Sequence, residues 1–145
     1  MSMGGSGKSV EISRLGSQNY ATCRINDLPE KISEHSAINT KNGVVSCGGS
    51  GLHSNKCYRL DSNGNWNTFY NLVNERSYFS MNEAKNSIVI IGGRGAKRSY
   101  EMIDHYNGTK WESKTLPFSI EGHCSTKLDD DSVIITGGYL NGKVN

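Results

Sequence analysis

Cys47 and Cys57, with His53 between them, are the side chains whose types and closeness in sequence could hold a metal, close a disulfide or supply a nucleophile. A metal centre wants about four ligands in short pairs such as Cys-x-x-Cys, and that spacing does not occur here. No metal and no cofactor is therefore expected. Two free thiols and one disulfide both remain open for this pair, the disulfide requiring neighbouring antiparallel strands. With Cys23 and Cys124 the total is four cysteines, too few for a fold resting on a disulfide framework or for a compartment to be read from them.

The four histidines, His35, His53, His105 and His123, are scattered. Ser36 and Ser125 lie beside or near two of them, but a nucleophile–base pair also needs a third, orienting group. No catalytic residue is expected. Gly4-Gly5-Ser6-Gly7-Lys8-Ser9 has part of a phosphate-cradling loop, yet Ser2 stands where that loop requires glycine and no strand precedes it. Asp129-Asp130-Asp131 reads as a solvated turn rather than a cation site. Asn107-Gly108-Thr109 fits the glycosylation pattern, and it equally fits a hairpin turn parallel to Asn63-Gly64.

The elements that must position these residues are short strands. Only 34% of the 145 residues are hydrophobic, while Gly reaches 17 and Pro only 2, a mixture that disfavours a helical bundle and suits strands joined by tight turns. The net charge of +2 is scattered without a basic block, so neither nucleic acid nor a membrane surface is expected as a partner. The apolar run Ile88–Ile91 is far too short to span a bilayer. Residues 1–19 lack the apolar stretch of a secretory signal and are expected to form a flexible lead. That slightly favours the cytoplasm but leaves the compartment open.

One pattern recurs: a β-branched run closed by two glycines. It ends at Gly48-Gly49, Gly92-Gly93 and Gly137-Gly138, with first glycines 44 and 45 residues apart. Trp66 and Trp111 are also 45 apart, each after an Asn-Gly turn. Pro29 and Pro117 are separated by two periods of 44. In the second repeat, strands are expected near Phe79–Glu83, Ser87–Ile91, Tyr100–Tyr106 and Lys110–Thr115. The run before the glycines is continuously apolar, as in a strand covered on both faces. A lone four-stranded sheet cannot bury both faces; radial stacking of such sheets can.

The paired glycines, an aromatic in the next strand (Tyr58, Tyr106) and the later tryptophan (Trp66, Trp111) resemble the kelch-repeat family over roughly residues 20–145. Counting back from the tryptophans, Ile103 takes the place of Tyr58, so the aromatic is not strictly kept. The resemblance implies an all-β fold of four-stranded antiparallel propeller blades. The expected division is a lead (1–19), the last strand of a partial blade (20–32), two blades (33–75 and 76–121) and a further partial blade (122–145). Propellers close with about 4 to 8 blades. The expectation is therefore an incomplete ring, a fragment of a longer protein, whose exposed edges invite self-association. Glycines and tryptophans take structural roles: backbone angles closed to other residues, close blade approach, and an apolar plate with an N–H to place.

Function is then expected in loops on one rim, which strands hold rigid while their sequences vary. The loops after the glycine pairs differ in all three repeats. They supply His53, the basic cluster Arg94, Lys97 and Arg98, and Tyr139 as partner-binding candidates, the cluster suiting an acidic segment. The resemblance implies a non-enzymatic module that binds a protein, as kelch proteins do as ligase arms or as actin and scaffold binders. The BTB domain that ligase arms carry is not in this sequence. The alternative is a piece of a secreted or enzymatic kelch protein of galactose-oxidase type, which would need a tyrosine–cysteine–histidine copper site.

Overall fold

A computed structural model of the chain describes residues 25–50, 55–85, 87–96, 100–129, 131–140 and 143–144. The first sheet is an antiparallel meander of β1 (Ser36–Thr40), β2 (Gly43–Cys47), β3 (Cys57–Leu60) and β4 (Trp66–Phe69). The second repeats it as β5 (Ser80–Ala84), β6 (Ser87–Ile91), β7 (Met102–Tyr106) and β8 (Trp111–Thr115). In the third unit, β10 (Cys124–Lys127) pairs with β11 (Val133–Thr136), while β12 (Tyr139–Leu140) lies between β9 (Ile120–Glu121) and β13 (Lys143–Val144). No helix occurs among the described residues.

Local chemistry sets these hairpins. The Thr40 hydroxyl donates to the Gly43 carbonyl at 2.8 Å and accepts from the Asn42 amide, closing the β1–β2 turn. Asp61 Oδ1 accepts from the Asn63 and Asn65 amides at 2.9 Å each, shaping the β3–β4 turn. Asn107 Oδ1 does the same for Thr109 and Lys110 in the shorter β7–β8 turn. Tyr100 leads into the third strand of its sheet rather than starting it. Its amide donates to the Gly93 carbonyl at 2.8 Å, and the ladder begins only where Met102 meets Thr115 and Ile103 meets Ile91.

Register corrects one expectation. Cys57 pairs with Cys47 and Ile103 with Ile91, so Ile103 stands at the place of Cys57, and Asp104 at that of Tyr58. Counting from the tryptophans fails because the turn between Leu60 and Trp66 is one residue longer than that between Tyr106 and Trp111. The aromatic of the second sheet, Tyr106, therefore corresponds to Leu60.

The sheets stack as blades of an incomplete β-propeller. Their first strands, β1, β5 and β10, lie side by side at the hub. The core fills the space between the first two blades with Val45, Phe69, Met81, Ile88 and Ile90, together with Cys47 and Cys57. Those two cysteines, directly opposite on β2 and β3, are joined as a disulfide and are buried. Cys124 is free. The facing sides of the first two blades thus cover each other, which is why an apolar run served as the second strand.

The glycine pair makes this stacking close. Gly92 has φ 56°, and a Cβ there would lie 2.2 Å from the carbonyl oxygen of Ile120 in the next linker. Its neighbour Gly93 donates its amide to that same carbonyl at 2.8 Å. One blade earlier, Gly48 and Gly49 do the same with the carbonyl of Arg76. The tryptophans lock the outer strands in parallel fashion: Trp111 Nε1 donates to the Tyr70 carbonyl and Trp66 Nε1 to the Asn26 carbonyl, both at 3.0 Å.

Candidate functional site

Directly after each glycine pair, one residue bridges back to the linker that enters its blade. Ser50 pairs with Ser33, Arg94 with Ser77, and Tyr139 with Glu121. Ser50, Arg94 and Tyr139 therefore occupy one repeat position on the same rim. Two of the sequence-predicted partner-binding residues are brought into register by this bridge. His53, Lys97 and Arg98 lie outside the described residues.

A second line of contacts runs along the inside of that rim. Glu34 (φ 58°), Tyr78 (φ 55°) and Gly122 (φ 64°) share a position one residue after the bridge, all in the left-handed region. Only glycine enters that region without cost, so Glu34 and Tyr78 are held there by their surroundings at about 1–3 kcal/mol each. The holding contacts are visible. The Tyr78 amide donates to the Glu34 carbonyl at 3.2 Å, and the Gly122 amide to the Tyr78 carbonyl at 2.8 Å. The Tyr78 hydroxyl also donates to Glu34 Oε1, which pushes its pKa above the ordinary phenol value.

Between these lines opens a cavity of about 290 Å³, lined by Ser50, Glu75, Ser77, Tyr78, Arg94 and Ala96. Arg94 is 56% exposed in its side chain and meets Glu121 at 3.7 Å. An ion pair so open to water is worth roughly 0–1 kcal/mol, so a partner carboxylate can displace it. Tyr139, 49% exposed, stands on the strand partner of Glu121. A cation, a carboxylate and two aromatic rings thus share a rigid rim.

Under the cavity lies an ion pair that sequence reasoning missed. Arg76 Nη2 meets Asp104 Oδ2 at 2.5 Å with both side chains fully buried. Arg76 Nη1 donates to the Gly92 carbonyl at 3.2 Å, and the Ser113 hydroxyl donates to Asp104 Oδ1 at 2.6 Å. The guanidinium also lies 5.1 Å from the centre of the Tyr100 ring. Burial pulls the Arg76 pKa down and Asp104 works against it. In the first blade the corresponding residues are Ile32 and Tyr58, which pack with Leu28 and Trp66 as an apolar cluster. Placing Asp104 opposite Ile90 from the register, rather than counting from tryptophan, would have disclosed the pair.

Ser80 and His123 form the contact that most resembles catalytic apparatus. The Ser80 hydroxyl and His123 Nε2 are hydrogen-bonded at 2.7 Å, and Ser125 donates to Ser80 at 2.6 Å. Asn82 donates to Ser125 in turn. Ser80 is 0% exposed, and His123 Nδ1 is buried without a partner, so the histidine has no orienting group and the serine no path to a substrate. Burial lowers the His123 pKa by disfavouring the charged ring. The network staples β5 to β10. The repeat position of His123 holds Phe79 in the second blade, and Ser36, at the place of Ser80, has a buried hydroxyl without a partner.

The remaining candidates serve turns. Asp129 Oδ1 accepts from the Asp131 amide at 2.8 Å, which lowers its pKa, and Asp131 pairs with Lys85. Asn107 is bound into its own turn and donates to Glu112 at 3.0 Å. Among the described residues, no group of three or more His, Cys, Asp or Glu side chains gathers where a metal could sit.

No family model matches the chain. An alignment 74 residues long, taking in 47% of the chain, is 36% identical to Kelch-like protein 40 of Xenopus laevis and covers 12% of it. Among solved structures, that of YjhT superposes with a TM-score of 0.68 at 16% identity, over 81% of this chain and 37% of that one. The chain therefore spans well under half the length of either protein.

Proposed function

Since the chain is an incomplete set of kelch-type β-propeller repeats, we propose that it is a non-enzymatic protein-interaction module whose partner docks on the rim of Arg94 and Tyr139. One observation carries this reading. The residues that follow successive glycine pairs share one rim, and there they combine an exposed cation, an exposed ring and a cavity on a scaffold fixed by strained backbone. Rigid strands bearing variable loops bind without paying for loop ordering. The partner segment is acidic: Arg94 gives up a weak pair with Glu121 for a better one, and Tyr139 packs beside it. Lys97 and Arg98 follow Arg94 in sequence, and His53 follows Ser50. Neither nucleic acid nor membrane is its target.

The test is quantitative capture of the partner by the chain and its variants. Arg94→Glu and Tyr139→Ala should each lower affinity at least tenfold, and Arg94→Lys by less, with the melting temperature unchanged. Equal affinity across the three variants would overturn the reading.

A second reading has one observation in its favour. The buried Cys47–Cys57 disulfide belongs in an oxidising compartment and suits a secreted or enzymatic kelch protein of galactose-oxidase type. Peptide mapping of the denatured natural protein decides this support: Cys47 and Cys57 recovered as one disulfide-linked pair keep it, and both recovered as free thiols remove it.

A further inference from the structure

On the opposite rim, where the β1–β2 and β3–β4 turns lie, a groove of about 810 Å³ runs along the outer strands of the first blade. Its size is that of a ligand site. Arg59 forms its centre. The guanidinium carbon sits 4.2 Å from the centre of the Phe69 ring, stacked on the ring face. Phe69 is held in turn by edge contacts to Tyr70 at 5.5 Å and Tyr106 at 4.9 Å between ring centres. Stacking fixes the plane of the guanidinium and leaves its edge to donate, the geometry that receives a carboxylate through two parallel hydrogen bonds.

That edge is unclaimed among the described residues. Arg59 Nε is buried without a hydrogen-bond partner, and no described carboxylate pairs with Arg59. Asp61, in the same groove, is already bound by the amides of Asn63 and Asn65 and by the Asn67 side chain. Glu83 and Lys41 line a smaller cavity of about 110 Å³ that also touches Arg59 and Asn42, and Glu83 forms no ion pair with Arg59. Arg59 Nε itself has no accessible surface, so an incoming carboxylate meets Arg59 through its terminal Nη groups. Tyr70, 53% exposed, offers an apolar wall beside it, while Asn67 and Thr68 supply polar groups for a peptide backbone.

We infer that this groove is a second docking site, for a peptide segment carrying one Asp or Glu next to an aromatic or aliphatic residue. One unpaired cation beside the Asp61 carboxylate matches a single negative charge. A phosphate group would bring nearly two, and among the described residues lining the groove Arg59 alone is basic. The site stands on observations separate from the Arg94 rim and extends the module to two faces.

The probe is a random 12-residue peptide display library selected on the intact 145-residue chain. Peptides sorted to this site should carry a carboxylate flanked by an apolar residue. Synthetic versions should lose at least tenfold in affinity on Arg59→Gln, on Tyr70→Ala, and on exchange of their Glu for Gln. Arg59→Lys, which keeps charge but not the fork, should fall nearly as far. Phosphoserine in place of Glu should bind more weakly. Affinity should be unchanged by Arg94→Glu, which separates this site from the other rim. Melting curves of each variant check that the fold persists. Recovery of no acidic peptide, or of acidic peptides indifferent to both Arg59→Gln and Arg59→Lys, would overturn the inference; tighter binding of phosphoserine would overturn the carboxylate assignment.

Discussion

Gly92 and Gly137 begin the same dipeptide and have nearly the same φ, 56° and 65°, yet their surroundings differ completely. A Cβ on Gly92 would strike the Ile120 carbonyl and the Ile120 side chain, while one on Gly137 would meet nothing within 4 Å. Gly137→Ala should therefore cost only the left-handed backbone, about 1–2 kcal/mol. Gly92→Ala adds overpacking of about 1–3 kcal/mol and breaks the approach of the next linker. Urea unfolding of the two variants checks this ordering; equal losses would show that packing between blades does not set the glycine requirement. The glycine pattern was legible because the backbone angle disfavours other residues at every pair, and close approach adds to it everywhere except Gly137. Ser80–His123 was not, because a hydrogen bond between hub strands of different blades leaves no trace in either strand's own pattern.

At the scale of the strand and its linker, two blades solve one packing problem with different chemistry. Ile32 and Tyr58 meet in the first, Arg76 and Asp104 in the second. Truncating one member of a buried ion pair strands the other and costs about 3–5 kcal/mol, whereas replacing both with apolar groups of similar size is often neutral or stabilising. Arg76→Ile alone should fall in that range, as should Asp104→Ala. The double variant Arg76→Ile, Asp104→Tyr, which copies the first blade, should regain most of the loss by chemical denaturation. If it is no better than the single variants, the blades are not interchangeable at this position. The strands themselves were readable from β-branched runs and Asn-Gly turns. Their exact equivalence was not, since a one-residue difference in turn length shifts the third strand without altering the position of the tryptophan. The disulfide stayed open for a related reason: spacing alone leaves unsaid whether two cysteines are directly opposed, and the β2–β3 register answers it.

The molecule as a whole is a stack of blades whose two sheet faces are covered unequally. Val45 is fully buried in the first blade, while Ile134, at the same place in the third, is 43% exposed, and Leu128 nearby is 65% exposed. We propose that the 145-residue chain self-associates through this face. Sedimentation velocity should show concentration-dependent association that Ile134→Lys reduces; a wild-type monomer at every concentration would refute it. Incompleteness of the ring was legible by counting repeats, but the face left open required relative burial. The proposed recognition surface is one part of this stack, the rim carrying Arg94 and Tyr139. A photo-reactive phenylalanine analogue placed at Tyr139, or at Lys114 on the outer strand as a control, tests it in the cell that makes the protein. The account predicts covalent adducts with another protein from position 139 and none from position 114; adducts from position 114 alone, or equally from both, would contradict it.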